Sequence, residues 1–133
     1  MGMFAAKEVD FKAIPEDESM HGASGDGRGF AVGGGVAEAV VNCIREQYPD
    51  REIPVDRAEG LDACRTMLLA AKAGKRNGYL LEGMACPGGC VGGAGTVLPI
   101  PKAALAVAKD RKNTTHGHSS ESDYIAMLEQ LEE

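Results

Sequence analysis

Residues 53–82 read IPVDRAEGLDACRTMLLAAKAGKRNGYLLE, and this stretch decides the fold. Ile53-Pro54-Val55 reads as a short strand, with Asp56, Arg57 and Glu59 in the turn that follows. Gly60 precedes a helix over about 61–73. Leu61, Cys64, Leu68 and Ala71 recur at helical spacing, with Met67 beside them, and predict an apolar stripe facing a core. Lys72 and Lys75 lie where the helix dipole favours cations, and Gly74 suits the position after the last turn. Tyr79-Leu80-Leu81-Glu82 is the second strand. Strand, helix and strand make a βαβ unit, which requires parallel pairing and a right-handed crossover. The fold class is therefore α/β: a small parallel sheet with a βαβ crossover, flanking helices and two C-terminal helices.

The second strand runs into Glu82-Gly83-Met84-Ala85-Cys86-Pro87-Gly88-Gly89-Cys90-Val91-Gly92-Gly93-Ala94-Gly95. In parallel sheets ligands sit beyond the carboxyl ends of the strands, where this loop begins. Its two thiols are soft ligands. Its glycines let backbone approach a bulky inorganic centre and point amides at it. Four readings compete. A disulfide across three residues is strained and needs an oxidising compartment. A zinc half-site would need the loop histidines or the helical cysteines as further ligands. A radical-SAM cluster loop needs a third cysteine soon afterwards, and 91–98 contains none. An iron–sulfur half-site fits best: Cys86 and Cys90 supply two of the four thiolates of a 4Fe–4S cluster, and Gly88, Gly89, Gly92 and Gly93 leave room for it and for amide-to-sulfide hydrogen bonds.

Upstream, Val9, Phe11 and Ile14 alternate loosely with charge and suggest a short extended piece. Residues 20–29 read as a loop of Ser, Gly, Asp and Arg. Gly29-Phe30-Ala31-Val32-Gly33-Gly34-Gly35 leads into a helix that Pro49 ends. Its stripe is Val36, Ala39, Val40, Cys43, Ile44 and Gln47, and Glu38 lies in its first turns. The glycine turn matches neither the dinucleotide fingerprint nor the phosphate loop. Cys43 and Cys64, on helix faces, read as small core hydrophobes. Downstream, Pro101 opens a helix over about 101–111 with Ile100, Ala103, Ala104, Val107 and Ala108 as its stripe. Residues 113–119 are a polar loop holding His116 and His118, which read as solvated and without an orienting partner. Ser119 or Ser120 caps a last helix faced by Tyr124, Met127, Leu128 and Leu131.

At 133 residues the chain is one domain's worth, and residues 3–133 read as one lobe, with 1–2 an addition at the start. A net charge of −6 argues against nucleic acid and anionic membrane as partners. No apolar run approaches a membrane span, and no basic segment followed by an apolar run marks a Sec-type signal. Four cysteines without secretory features point to a reducing, cytoplasmic setting.

The stretch from Glu82 to Gly93 closely resembles the third cysteine signature of the catalytic (large) subunit of iron-only (FeFe) hydrogenases. The segments Lys7–Phe11 and Gly29–Ala39 resemble, in order, what precedes that signature, so the likeness covers residues 7 to about 95. It implies that Cys86 ligates the 4Fe–4S part of the active-site cluster and that Cys90 ligates it and bridges to a diiron subcluster. It further implies that Met84 lines the diiron pocket, that Phe30 packs near that subcluster's diatomic ligands, and that Glu82 is structural or supports the ligands. A parent of this kind interconverts protons and dihydrogen with an electron carrier such as ferredoxin. The family's two earlier signatures, which supply the other two cluster cysteines and a proton-relaying cysteine, have no counterpart here. The expected reading is a C-terminal lobe that needs the remainder of the catalytic domain, holds no metal alone and is inactive alone. The signature usually ends Gly-Gly-Gly-Gln-Pro; here Gly93-Ala94-Gly95-Thr96 stands instead, and Ala31, Val32 and Gly33 depart from the usual turn. These departures mark a divergent branch, with a sensory module as one alternative. The others are a zinc- or partner-binding domain and a cluster bridged between two chains.

Overall fold

The computed structural model describes residues 2–15, 22–125 and 127. The helices are α1 (Gly2–Ala6), α2 (Gly25–Gly29), α3 (Gly35–Gln47), α4 (Leu61–Lys72) and α5 (Ile100–Arg111); the strands are β1 (Val55–Glu59) and β2 (Leu80–Met84). Turns of 3-10 helix cover Cys90–Gly92 and Ser119–Glu121. β1 and β2 pair in parallel, Val55 opposite Leu80 and Glu59 opposite Met84, with α4 as the crossover. The α/β fold and its βαβ unit are as the sequence predicts. Among the described residues no helix is long and apolar enough to cross a membrane.

Both strands run further toward the cysteine loop than their apolar residues indicate. Asp56, Arg57 and Glu59 belong to β1, not to a turn after it. Polar residues are tolerated there because the ladder is satisfied by backbone and most of the strand is not fully buried. Arg76 ion-pairs with Asp56 and lies over the Tyr79 ring, which ties the end of the crossover to β1. That hydrogen bond holds the Asp56 carboxyl below its usual range. Because the folded value is the lowered one, the contribution is complete above the ordinary carboxylate range and lost as pH falls through the folded value.

The buried core is small and made largely of short side chains: Ala37, Ala39, Val41, Ala58, Met67 and Val91. The stripes lie differently from expectation. On α4 only Met67 is buried, while Leu61 and Leu68 are 73% and 59% exposed. On α3 the buried positions are Gly35, Ala37, Ala39 and Val41. Of the expected stripe, Ala39, Val40, Cys43, Ile44 and Gln47 line an open apolar groove of about 230 Å³ with Phe30 and Ser119, and Val36 lines a second groove against β2. The helical periodicity is right, but apart from Ala39 the buried positions of α3 lie off the expected stripe and carry small residues and Val41.

The N-terminal stretch also differs. Gly2–Ala6 is helical, and residues 11–13 form a turn where Val9, Phe11 and Ile14 were expected to be extended; Phe4 and Phe11 meet edge to face with centroids 5.2 Å apart. Within the expected loop 20–29, Gly25–Gly29 forms a helical turn because the Ser24 hydroxyl accepts the Gly27 N–H at 3.1 Å. That turn buries Asp26, 2% exposed. Asp26 accepts hydrogen bonds from Asn42 Nδ2 (2.9 Å) and the Ser119 N–H (3.2 Å), meets His118 Nδ1 at 3.3 Å, and has Arg111 Nη2 at 3.9 Å. His118 therefore has an orienting partner, contrary to expectation, and His116 lies 3.4 Å from Asp123. The turn at Ser119 starts from His118, not from Ser119 or Ser120: the Glu121 carboxylate accepts the N–H groups of Gly117 (2.7 Å) and His118 (3.0 Å). Those bonds hold the Glu121 carboxyl below its usual range. Leu128 and Leu131, on the expected last helix, lie outside the described residues.

Candidate metal centre

The parallel register puts Glu59 and Met84 at the same end of the sheet, and the cysteine loop leaves from Met84. The loop is closed by its own backbone. Gly89 N–H donates to Cys86 O, Gly92 N–H to Gly89 O and Gly93 N–H to Cys90 O, all at 3.0 Å. Two further bonds dock it on the glycine-rich turn before α3: Val91 N–H to Ala31 O at 3.0 Å, and Gly33 N–H to Gly88 O at 3.1 Å. Gly88 N–H donates to Glu59 Oε2 at 2.8 Å. The N–H groups of Gly88, Gly89, Gly92 and Gly93 are thus all donated within the chain, so in this structure they fix the loop rather than offer themselves to sulfide.

These glycines are needed for close approach. Gly89 has φ +83°, and a Cβ there would lie 2.6 Å from Gly33 N and 2.9 Å from Val32 C. At Gly88 a Cβ would meet Ile100 Cγ2 at 2.5 Å, and at Gly92 it would overlap Pro87 O, so the first residue of α5 closes the loop from the other side. At Gly93 a Cβ would stand 3.5 Å from Cys86 Sγ, so its absence keeps space beside that sulfur. Cys86 is half-buried and Cys90 exposed.

Glu82 sits on β2, 8% exposed. Its Oε1 accepts the N–H groups of Val36 (3.1 Å) and Ala37 (3.2 Å), which caps the first turn of α3 from across the sheet. Its Oε2 is buried and takes no hydrogen bond among the described residues. With Met84, Val36, Ala37 and Val40 it lines a groove of about 270 Å³ between α3 and β2. The carboxylate therefore registers the strand that launches the cysteine loop against the helix that follows the glycine turn. Glu82→Ala leaves two helix N–H groups unmet in a buried place and is expected to cost about 2–3 kcal/mol in urea unfolding; Glu82→Gln, which keeps an acceptor, is expected to cost about 1 kcal/mol.

The expected site residues therefore fall into two groups. Cys86, Gly88, Gly89, Cys90, Gly92 and Gly93 form one closed loop against residues 31–33. Phe30 and Met84 line two separate grooves: the Phe30 side chain the groove on α3 beside Cys43, and Met84 the groove beside Glu82. Burial, then Glu46 and Asp26, push the Cys43 thiol up, away from the thiolate that a metal ligand must be. The Cys64 thiol donates to Ala58 O and Met84 O at 3.5 Å each and packs under Gly83. Cys64 is thereby used structurally; Cys43, expected in the core, instead lines the open groove on α3 and is only partly buried. Glu59 was missed as a site residue; the only signal for it is its place just before Gly60, opposite the end of the second strand.

As a donor set, two thiols with a bare glycine beside one sulfur fit half of a thiolate-ligated cluster. Among the described residues no group of three or more His, Cys, Asp or Glu is placed to hold a metal ion.

The chain is 28% identical over 116 residues to the NADP-reducing hydrogenase subunit HndD of Solidesulfovibrio fructosivorans; the match covers 65% of this chain and 20% of that protein. The chain thus spans about a fifth of the length of this relative. The family model described as iron only hydrogenase large subunit, C-terminal domain, matches residues 1–94, which include α1 to β2 and the whole cysteine loop through Ala94. On that match over most of its length, the chain belongs to the family of iron-only hydrogenase large subunits, as part of their C-terminal domain.

Proposed function

We propose that this chain is one lobe of a hydrogenase catalytic domain and that Cys86 and Cys90 hold one side of a 4Fe–4S cluster whose remaining ligands come from the rest of that domain. The observation that carries this is the closed two-thiol loop at the carboxyl end of the parallel sheet, with no third ligand placed beside it among the described residues. When bound, that cluster with its diiron subcluster supplies the interconversion of protons and dihydrogen, with electrons passed to a carrier such as ferredoxin. The chain's own part is to hold and exclude. Cys86 provides a half-buried thiol and Cys90 an exposed one that a second lobe can reach. Met84, where the loop leaves β2, and Phe30, before the glycine turn, supply apolar surface in two grooves. Leu61, Leu68, Leu69, Val97 and Leu105 are all more than half exposed, which suits a lobe that meets further protein. The setting proposed is the cytoplasm.

The test is anaerobic reconstitution of the 133-residue chain with iron and sulfide. We expect well under one cluster per chain and no dihydrogen turnover, because a site with half its ligands holds metal poorly. Supplying the rest of the catalytic domain restores a visible-region charge-transfer band, and Cys86→Ser or Cys90→Ser abolishes it. A stoichiometric cluster in the isolated monomer would sink the half-site; iron-dependent dimerisation, or zinc lost on Cys86→Ser, would replace it with a bridged cluster or a zinc site.

A further inference from the structure

Arg57 and Glu59 are two apart on β1 and so share one face of the strand. Both reach the glycine turn that precedes α3. The Arg57 guanidinium lies over Gly34, where a Cβ would stand 3.0 Å from Nη1. Glu59 goes further. Its Oε2 accepts the N–H of Gly88 at 2.8 Å, in the middle of the segment between the two cysteines. Its Oε1 fills the space a side chain at Gly33 would take, where a Cβ would overlap that oxygen and stand 3.0 Å from Cδ. Gly33 in turn donates its N–H to Gly88 O at 3.1 Å. The Gly88 residue is thereby held at both ends, its N–H by Glu59 and its C=O by Gly33. Gly33, unlike Gly34, is outside the left-handed region. What forbids a side chain there is the carboxylate and not the backbone.

We propose that Glu59 is a positioning residue for the thiol pair: a carboxylate latch, seated in the bare space at Gly33, that fixes the loop between Cys86 and Cys90 before any metal arrives. Its service to a cluster rests on the function proposed above; its existence does not. The latch is electrostatically suited to its task, because an ionised acceptor takes a backbone N–H more strongly than a neutral one.

The experiment is amide hydrogen exchange at Gly88, followed by NMR in the metal-free 133-residue chain. Glu59→Ala is expected to raise the Gly88 exchange rate about tenfold, the effect of losing one hydrogen bond that guards a local opening. Glu59→Gln keeps an acceptor oxygen and is expected to stay within about threefold of the unaltered chain. Gly33→Ala should evict the Glu59 carboxylate, a flexible side-chain end, and reproduce the Glu59→Ala rate. Combining Gly33→Ala with Glu59→Ala should add nothing further, the mark of two changes acting through one contact. Amides in α4, such as Leu69, should be unmoved in every variant, which separates the latch from global loosening. Unchanged Gly88 exchange in Glu59→Ala, or effects that simply multiply in the double variant, would overturn the proposal. Neither arm uses iron, so failure to assemble a cluster would count against the proposed function and leave the latch standing.

Discussion

Asp26→Ala will destabilise the chain by about 3 kcal/mol, read as a lower urea midpoint at unchanged slope. Asp26 is 2% exposed and accepts from Asn42 on α3 and from the backbone of Ser119, with His118 and Arg111 against it. Removing the carboxylate takes the acceptor from Asn42 Nδ2 and the Ser119 N–H, both partly buried, and the partner from His118 Nδ1, while Arg111 keeps Glu38 at 3.0 Å. The loss is large against the few kcal/mol by which a chain of this size is stable, and the small core of Ala37, Ala39, Val41 and their neighbours has little to offset it. Asp26→Asn is expected to cost about half as much: the shape is kept, but one of its two terminal atoms becomes a donor and faces donors. Equal midpoints for Asp26→Ala and the unaltered chain would show that α2, α3 and the turn at Ser119 do not depend on this carboxylate.

That hub was invisible in the sequence for a physical reason. Asp26 sits in Ser-Gly-Asp-Gly-Arg-Gly, a composition that reads as an open loop, and only distant residues near 42, 111 and 118 turn it into a buried acceptor. Local pattern reports local preference; a polar residue buried by chain segments some ninety positions away leaves no local mark. The βαβ unit was legible because its signals are local: Gly60 and Gly74 at the helix ends, the apolar run at Leu80-Leu81, and a crossover too long for a hairpin. The cysteine loop stood out because two thiols among glycines announce themselves by residue type and spacing. The orientation of α3 and α4 was not. Periodicity finds an apolar stripe, yet Leu61 and Leu68 stay exposed while Ala37 and Val41 are buried. A lobe that meets other protein carries apolar faces that its own core does not use, so the largest side chains are a poor guide to which face turns inward. Glu59 escaped for a related reason: at the end of a strand an acidic residue looks like a solvated turn, and its partner, Gly88, is a backbone group that no side-chain motif announces.

The second large effect separates two demands on the glycines of the loop. Gly89 and Gly95 both have positive φ, +83° and +89°. A Cβ at Gly95 meets nothing within 4 Å, whereas at Gly89 it would meet Gly33 N at 2.6 Å, Val32 C at 2.9 Å and Ala31 O at 3.0 Å. Those neighbours are backbone, held by Gly33 N–H on Gly88 O and Val91 N–H on Ala31 O, and they cannot step aside as a side-chain end can. Gly95→Ala therefore carries only the backbone penalty, about 1 kcal/mol. Gly89→Ala carries that penalty and the forced separation of the loop from residues 31–33, together about 3–4 kcal/mol. The two variants should also differ at the thiols. Pushing the loop off the turn breaks the bonds that hold Cys86 half-buried, so alkylation of Cys86 should quicken several-fold in Gly89→Ala and stay as it was in Gly95→Ala. If the two substitutions cost the same and leave the Cys86 rate alike, then the glycines serve only chain bending, and the docking of the cysteine loop on residues 31–33 has no part in holding the thiol pair.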